Sequence, residues 1–217
     1  MSSRFALVTL VSALALAAPL AAQGPADVAL DRTVAKYKGV RSMRATFEQR
    51  LDNPITGTTA TARGEMLVQR PGRIAIRFTD PAGDQIVSDG KQMWVYLPSS
   101  APGQVMRTRG AADGSGFDII GELLTAPRSK FTVADGGPAS LAGRAARIVV
   151  LTPKSDRAFT RARLWVDQTD ASVKQVELTE PNGLTRLIVF RSISLNASVP
   201  ASAFTFKVPK GARVVDG

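Results

Sequence analysis

The sequence predicts a mainly β fold: a curled antiparallel sheet or barrel of about eleven strands, with a few helices. Three observations predict it. From Met43 onward, apolar residues recur with a period of two. Each such run is bounded by turn chemistry. The connections between runs are short, which makes sequence neighbours antiparallel.

The first element is the exception. Ala26 to Tyr37 reads as a helix, with Leu30, Val34 and Tyr37 at i, i+4 and i+7 on one apolar stripe. Asp27 suits the positive end of its dipole. Next, Met43, Ala45, Phe47 and Leu51 share one face of a strand, and Arg44, Thr46, Glu48 and Arg50 the other. A continued helix is the competing reading of this stretch. Strand-like runs then span Ala60–Gln69, Arg73–Thr79, Asp84–Ser88, Gln92–Leu97 and Gln104–Thr108. Between them lie Arg70-Pro71-Gly72, where a type II turn takes Pro and Gly, then Asp80-Pro81-Ala82-Gly83, then Asp89-Gly90. The series resumes with Ser129–Ala134, Arg144–Thr152, Thr160–Asp167, Val173–Glu180 and Leu184–Leu195. Asn182-Gly183 closes the last hairpin.

One interruption divides the series. Gly116 to Thr125 reads as a short helix with Phe117, Ile120, Leu123 and Leu124 on its apolar face, after a Gly- and Ala-rich loop from Gly110. Such a helix either caps the open end of a barrel or packs as ordinary core. No internal repeat, linker or second domain is visible, and 217 residues suffice for one domain with a sizeable core.

The N-terminus carries a different signal. Arg4 precedes the apolar run Phe5 to Ala18, and small residues lead to a polar restart at Gln23. That is the pattern of a secretory signal peptide over residues 1–22, cleaved near Ala22, with residues 23–217 as the mature domain. The apolar run is too short for an ordinary membrane span.

Composition removes much chemistry. The chain has no cysteine and no histidine, which excludes thiol nucleophiles, Ser-His triads, disulfides and most zinc sites. Ser88-Asp89-Gly90-Lys91 fits S-x-x-K, the serine nucleophile motif of β-lactamases. That serine works at the start of a helix, whereas Asp89-Gly90 breaks one and Gln92 to Tyr96 continues as strand. Ser88 is therefore read as the end of a strand. Gly90-Lys91 lacks the rest of a P-loop. The carboxylates Asp52, Asp80, Asp84, Asp89, Asp113 and Asp118 read as turn residues. No enzyme, cofactor or metal is expected. The formal net charge of +10 favours acidic partners such as anionic lipid surfaces or acidic proteins, although an Arg-rich coding bias would give the same count. Few aromatics and the export signal argue against nucleic acid.

A large apolar interior remains. Ile74, Ile76 and Phe78 share one strand face, with Arg73, Ala75 and Arg77 on the other; Trp94 and Tyr96 line a face two strands away. A curled sheet of this size either has its concave side plugged by helices or holds an apolar ligand there.

The segments Val40–Gln49, Ala62–Phe78, Ile86–Tyr96, Leu151–Lys154 and Phe204–Asp216 together resemble, in order and spacing, the periplasmic outer-membrane lipoprotein carrier (LolA) family. The resemblance covers nearly all of the mature chain. It implies an unclosed, half-barrel antiparallel sheet of about eleven strands, with an α-helical lid over an apolar cavity. It also implies a function. Such a carrier accepts triacylated lipoproteins from an inner-membrane ABC transporter complex. It shields their acyl chains across the periplasm and passes them to an outer-membrane receptor lipoprotein, acting as a monomer. Each buried CH₂ is worth ~0.8 kcal/mol, so exposing one palmitoyl-length chain costs roughly 12 kcal/mol. Unshielded transit is prohibitive.

By this resemblance Arg70 latches the lid in the empty state, hydrogen-bonding lid backbone carbonyls; otherwise it is an exposed arginine before a turn. Phe47, Ile74, Ile76, Phe78 and Trp94 match cavity or core positions. Leu30, Val34, Tyr37, Phe117, Ile120 and Leu124 fall in the lid. A related half-barrel can instead serve as a periplasmic lipid sensor that binds a membrane anti-sigma factor, and this is the alternative reading.

Overall fold

The computed structural model describes residues 23–109 and 117–217. The signal-peptide reading and the loop from Gly110 lie outside the described residues.

Helix α1 (Pro25–Tyr37) forms where the stripe predicts it. Pro25 occupies its first turn, where no amide donor is needed, Asp27 follows in that turn, and Lys36 stands in the last. Leu30 and Tyr37 are buried, but Thr33 rather than Val34 fills the position between them. Val34 is half-buried at the margin. The Thr33 hydroxyl is satisfied locally, Oγ1 donating to the Ala29 carbonyl at 2.9 Å.

Among the described residues twelve strands follow in one sheet. The first six are β1 (Ser42–Asn53), β2 (Thr58–Gln69), β3 (Arg73–Asp80), β4 (Ala82–Asp89), β5 (Gln92–Tyr96) and β6 (Gln104–Arg109). After the short helices α2 (Ile119–Leu124) and α3 (Pro127–Lys130) come β7 (Phe131–Leu141), β8 (Arg144–Pro153), β9 (Arg161–Asp167), β10 (Val173–Thr179), β11 (Thr185–Leu195) and β12 (Arg213–Asp216). The order across the sheet is β12-β6-β5-β4-β3-β2-β1-β11-β10-β9-β8-β7. The sheet is unclosed, with β12 and β7 as its edges. A long-range antiparallel closure joins β1 to β11, from Met43 opposite Leu195 to Asp52 opposite Thr185.

All eleven expected strands are present, and β1 is strand throughout rather than a continued helix. The twelfth, β12, was not expected. It is four residues long and runs parallel to β6, with Val215 opposite Met106. A segment so short has no alternation of its own to read. Pairing makes it a strand, helped by an ion pair from Arg107 Nε to Asp216 Oδ1 at 2.7 Å. Strand β7 runs past Gly136-Gly137-Pro138, where a strand would be expected to stop, because its register shifts between Asp135 and Pro138. An edge strand tolerates both the bulge and the proline.

The two faces of the sheet are covered differently. On the concave face, Met43, Phe47, Met66, Val68, Ile74 and Ile76 meet Val149, Leu151, Leu164, Val176, Ile188 and Phe190 from the other half of the sheet. Leu30 and Tyr37 of α1 and Ile120, Leu123 and Leu124 of α2 pack into the same cluster. Each such side chain contributes about 1.5–3 kcal/mol by leaving water. On the convex face a smaller cluster, Leu67, Ala75 and Val87, lies under Ala203 and Phe204 of the C-terminal segment. Arg77 Nη2 donates to the Ala203 carbonyl there at 2.7 Å.

Candidate functional site: a lidded concave face

The turn at Ser88-Asp89-Gly90-Lys91 joins β4 to β5, as expected. Gly90 takes a φ of 94°, which L side chains rarely adopt. The Ser88 hydroxyl donates to the Gly72 carbonyl at 2.9 Å and accepts from the Gly90 amide at 3.2 Å. It is buried and committed to the turn.

Phe47, Ile74 and Ile76 are buried on the concave face, and Phe78 stands half-buried beside them. The rings of Phe47 and Phe78 meet edge to face with centroids 5.7 Å apart. Trp94 is not in this group. It lies opposite Val87, whose side chain belongs to the convex cluster, and it stacks on Phe206 at 6.0 Å. Residues directly opposite in antiparallel strands share a face. Trp94 and Tyr96 therefore support the C-terminal segment on the outside of the sheet, and the cavity assignment of Trp94 is corrected. Strand alternation gave Trp94 and Tyr96 a common face but not which one.

The concave position on β5 belongs to Val95. The registers place Ile76, Ile86, Val95, Met106 and Val215 side by side on β3, β4, β5, β6 and β12. Ile76 and Ile86 are 6% and 9% exposed, whereas Met106 and Val215 are 48% and 40% exposed. The apolar floor thus runs without a break from beneath the lid to a solvent-open shelf at the β6–β12 edge.

Of the residues expected in a lid, Leu30, Tyr37, Ile120 and Leu124 are buried against this floor, and Val34 and Phe117 pack at its margin. The Tyr37 hydroxyl accepts from the Val173 amide at 3.3 Å, and burial pushes its pKa up. Arg128 of α3 ties α3 to α1, bonding Asp27 at 2.5 Å and Asp31 at 2.8 Å.

Arg70 stands just past the end of β2. Its amide donates to the Arg41 carbonyl at 2.8 Å, which anchors it to the start of β1. Its Nε donates to Asp118 Oδ2 at 2.7 Å, and its Nη1 to the Val40 carbonyl at 3.1 Å. Asp118 is the N-cap of α2, and its other oxygen, Oδ1, accepts from the Gly121 amide at 2.9 Å. One carboxylate therefore caps the lid helix and holds it to the sheet. The expected partners were lid backbone carbonyls. Among the described residues the one carbonyl that the Arg70 side chain reaches belongs to Val40, in the segment between α1 and β1, and its contact to the start of α2 is a carboxylate. A charged fork favours a charged acceptor where one is within reach. Gly121 makes room for the arrangement, since a Cβ there would sit 2.8 Å from Arg70 Nη2.

A second tie was not visible in the sequence. Arg157, in the loop between β8 and β9, bonds Glu122 of α2 at 3.0 Å and stands over the Phe131 ring at 5.3 Å. Asp118 and Glu122 carry no motif beyond a turn and a helix surface. Their partners lie 48 and 35 residues away.

The family described as outer membrane lipoprotein carrier protein LolA matches residues 38–207. An outer-membrane lipoprotein carrier protein of Chromobacterium violaceum is 31% identical over 97% of this chain and 98% of its own length. One of Dechloromonas aromatica is 30% identical over 86% of this chain and 87% of its own. A solved structure of an uncharacterized conserved protein of Thermus thermophilus superposes with a TM-score of 0.54, covering 88% of this chain and 99% of its own, at 15% identity. At that identity it speaks for the fold alone.

Proposed function

The chain belongs to the outer membrane lipoprotein carrier family, and from that premise we propose that it carries acylated lipoproteins through the periplasm by burying their acyl chains on its concave face. The observation that carries this reading is the continuous apolar floor, sealed at one end by a lid and open at the other. The floor supplies dry contact for chains. Phe47, Ile74, Ile76 and Phe78 are the residues they meet once α2 swings away, and Met106 and Val215 are where they enter.

Magnitudes support reversible loading. The latch is a partly exposed ion pair with charge-assisted hydrogen bonds, worth about 1–3 kcal/mol. A palmitoyl-length chain gains roughly 12 kcal/mol by leaving water. A loaded chain therefore stays shielded in transit with the latch open, and the latch shifts the balance towards release at the destination. Loading from an inner-membrane ABC transporter complex, delivery to an outer-membrane receptor lipoprotein, and action as a monomer without catalysis complete the proposal. Residues 1–22 serve in it as the cleaved export signal and residues 23–217 as the carrier domain. The match to carriers along nearly their whole length favours this over the lipid-sensing regulator.

The test incubates the mature chain with spheroplasts that make a labelled outer-membrane lipoprotein. The expected result is release of label as a soluble one-to-one complex. Label that stays on the spheroplasts with the export complex present overturns the reading.

A further inference from the structure

One end of the sheet carries an uneven charge. Arg41 precedes β1, Arg70 follows β2, Arg73 opens β3, Lys91 lies between β4 and β5, and Arg109 closes β6. The registers put these positions in line: Ser42 faces Gln69, Gln69 faces Arg73, Arg73 faces Asp89, and Gln92 faces Arg109. Lys38 joins them from the end of α1. Neighbouring strands are about 4.8 Å apart, so the row is roughly 24 Å long. Each step is shorter than a Debye length of about 8 Å at physiological salt, and the charges act together.

Among the described residues this rim has two carboxylates against its six cations, and both are held in hydrogen bonds, with Asp89 keeping its charge. Asp118 holds Arg70, and Asp89 Oδ1 accepts the amides of Lys91 and Gln92 at 2.7 and 2.8 Å. Elsewhere on the sheet many of the described arginines are neutralised in pairs, as in Arg44–Glu65, Arg63–Asp80 and Arg191–Glu48, while isolated ones such as Arg77 and Arg161 do not form a row. Among the described residues Lys38, Arg41, Arg73 and Lys91 are exposed and form no ion pair with a carboxylate.

We infer that this rim is a docking surface for an anionic phospholipid bilayer. The charges sit on turns and strand ends, in one line, with no exposed aromatic anchor among them. A protein partner would be expected to recruit buried aromatic or arginine anchors at the centre of a patch. A line of exposed cations suits a diffuse sheet of lipid phosphates. Docking by this rim brings Arg70, which is 30% exposed, to the headgroups. A lipid phosphate can then replace Asp118 on its guanidinium and free α2 at the membrane. The inference stands on the charge arrangement and does not depend on the carrier reading.

The test is sedimentation of the mature chain with vesicles of phosphatidylcholine alone or with a third phosphatidylglycerol. Arg73→Gln/Lys91→Gln is compared with Lys154→Gln/Arg161→Gln, an equal charge loss at the opposite end of the sheet. All four positions are on the surface, and matching thermal melts verify folding. Binding is expected only to the anionic vesicles and is expected to fall with salt. Each rim cation is worth about fivefold, so the first variant should bind about 25-fold more weakly while the second changes little. Equal losses in both variants would make net charge, not the rim, the cause, and so overturn the assignment. Failure of the wild-type chain to bind anionic vesicles at low salt also overturns it, and points the rim to an acidic protein instead.

Discussion

Arg70 and Asp118, 48 residues apart in the chain, meet with Nε 2.7 Å from Oδ2, and the same carboxylate caps the lid helix α2 through the Gly121 amide. In this tie one side chain, Asp118, has two roles, capping α2 and holding it to the sheet, and substitutions can separate them.

Asp118→Asn should keep the cap, since asparagine caps as well as aspartate, but lose the charge on which Arg70 closes. Asp118→Ala should lose both. We expect α2 amides to exchange faster with deuterium in the first variant and faster still in the second, with a further loss of about 1 kcal/mol for the cap. Equal exchange in both would place the coupling elsewhere.

Arg70→Leu should leave the lid loose while leaving the apolar floor intact. Cargo loading is expected to persist, and handover to an outer-membrane acceptor to be impaired. The comparison is transfer of labelled lipoprotein from preloaded mutant and wild-type chains. Equal transfer would remove Arg70 from the latch.

Gly121→Ala reverses an ordinary rule. Alanine usually stabilises a helix interior by about 1 kcal/mol relative to glycine. Here its Cβ would crowd Arg70 Nη2 and the Asp118 carboxylate. The variant is expected to melt lower than wild type and to show the fast α2 exchange of Asp118→Asn. A higher melting temperature would mean that the latch is not closed in solution.

Ile76→Ala and Trp94→Ala should divide floor from outer support. Ile76 is buried on the concave face, so its loss should cost about 2–5 kcal/mol and weaken retention of a bound acyl chain. Trp94 stacks on Phe206 outside the sheet. Its loss should lower stability and leave acyl retention at the wild-type level, read with a fluorescent fatty acid. Loss of retention in Trp94→Ala alone would return that residue to the cavity.

Asp167 gives the fold an acid limit. It is buried, and Arg144 Nε beside it at 2.6 Å, together with the amides of Thr169 and Asp170, holds its carboxyl well below the usual carboxylate range despite burial. A depressed folded-state pKa contributes stability that is complete above the unfolded value, about 3.9, and is lost as pH falls towards the folded value. Denaturant melts should therefore weaken below about pH 4. Arg144→Gln should flatten that slope, and an unchanged slope would assign the acid sensitivity to other carboxylates.

Eleven strands, their turns and helix α1 were legible because each is a local pattern. Alternation such as Met43-Ala45-Phe47 marks one face of a strand, and Asp89-Gly90 marks a tight turn, without knowledge of the rest of the chain. Arg70 was singled out by its resemblance to a family position. Its place beside the lid emerged, but its acceptor did not, because Asp118 reads equally well as any turn aspartate. The Arg157–Glu122 tie left no local trace at all.

Local chemistry therefore settled which residues alternate, where the chain turns and which classes of catalysis are impossible without cysteine or histidine. The choice of face for Trp94, the existence of β12, the open shelf at Met106 and Val215 and the partner of Arg70 were settled by long-range pairing. Alternation names two faces without saying which is inside, and a four-residue strand or a single carboxylate acquires meaning only from the neighbour that the folded chain brings to it.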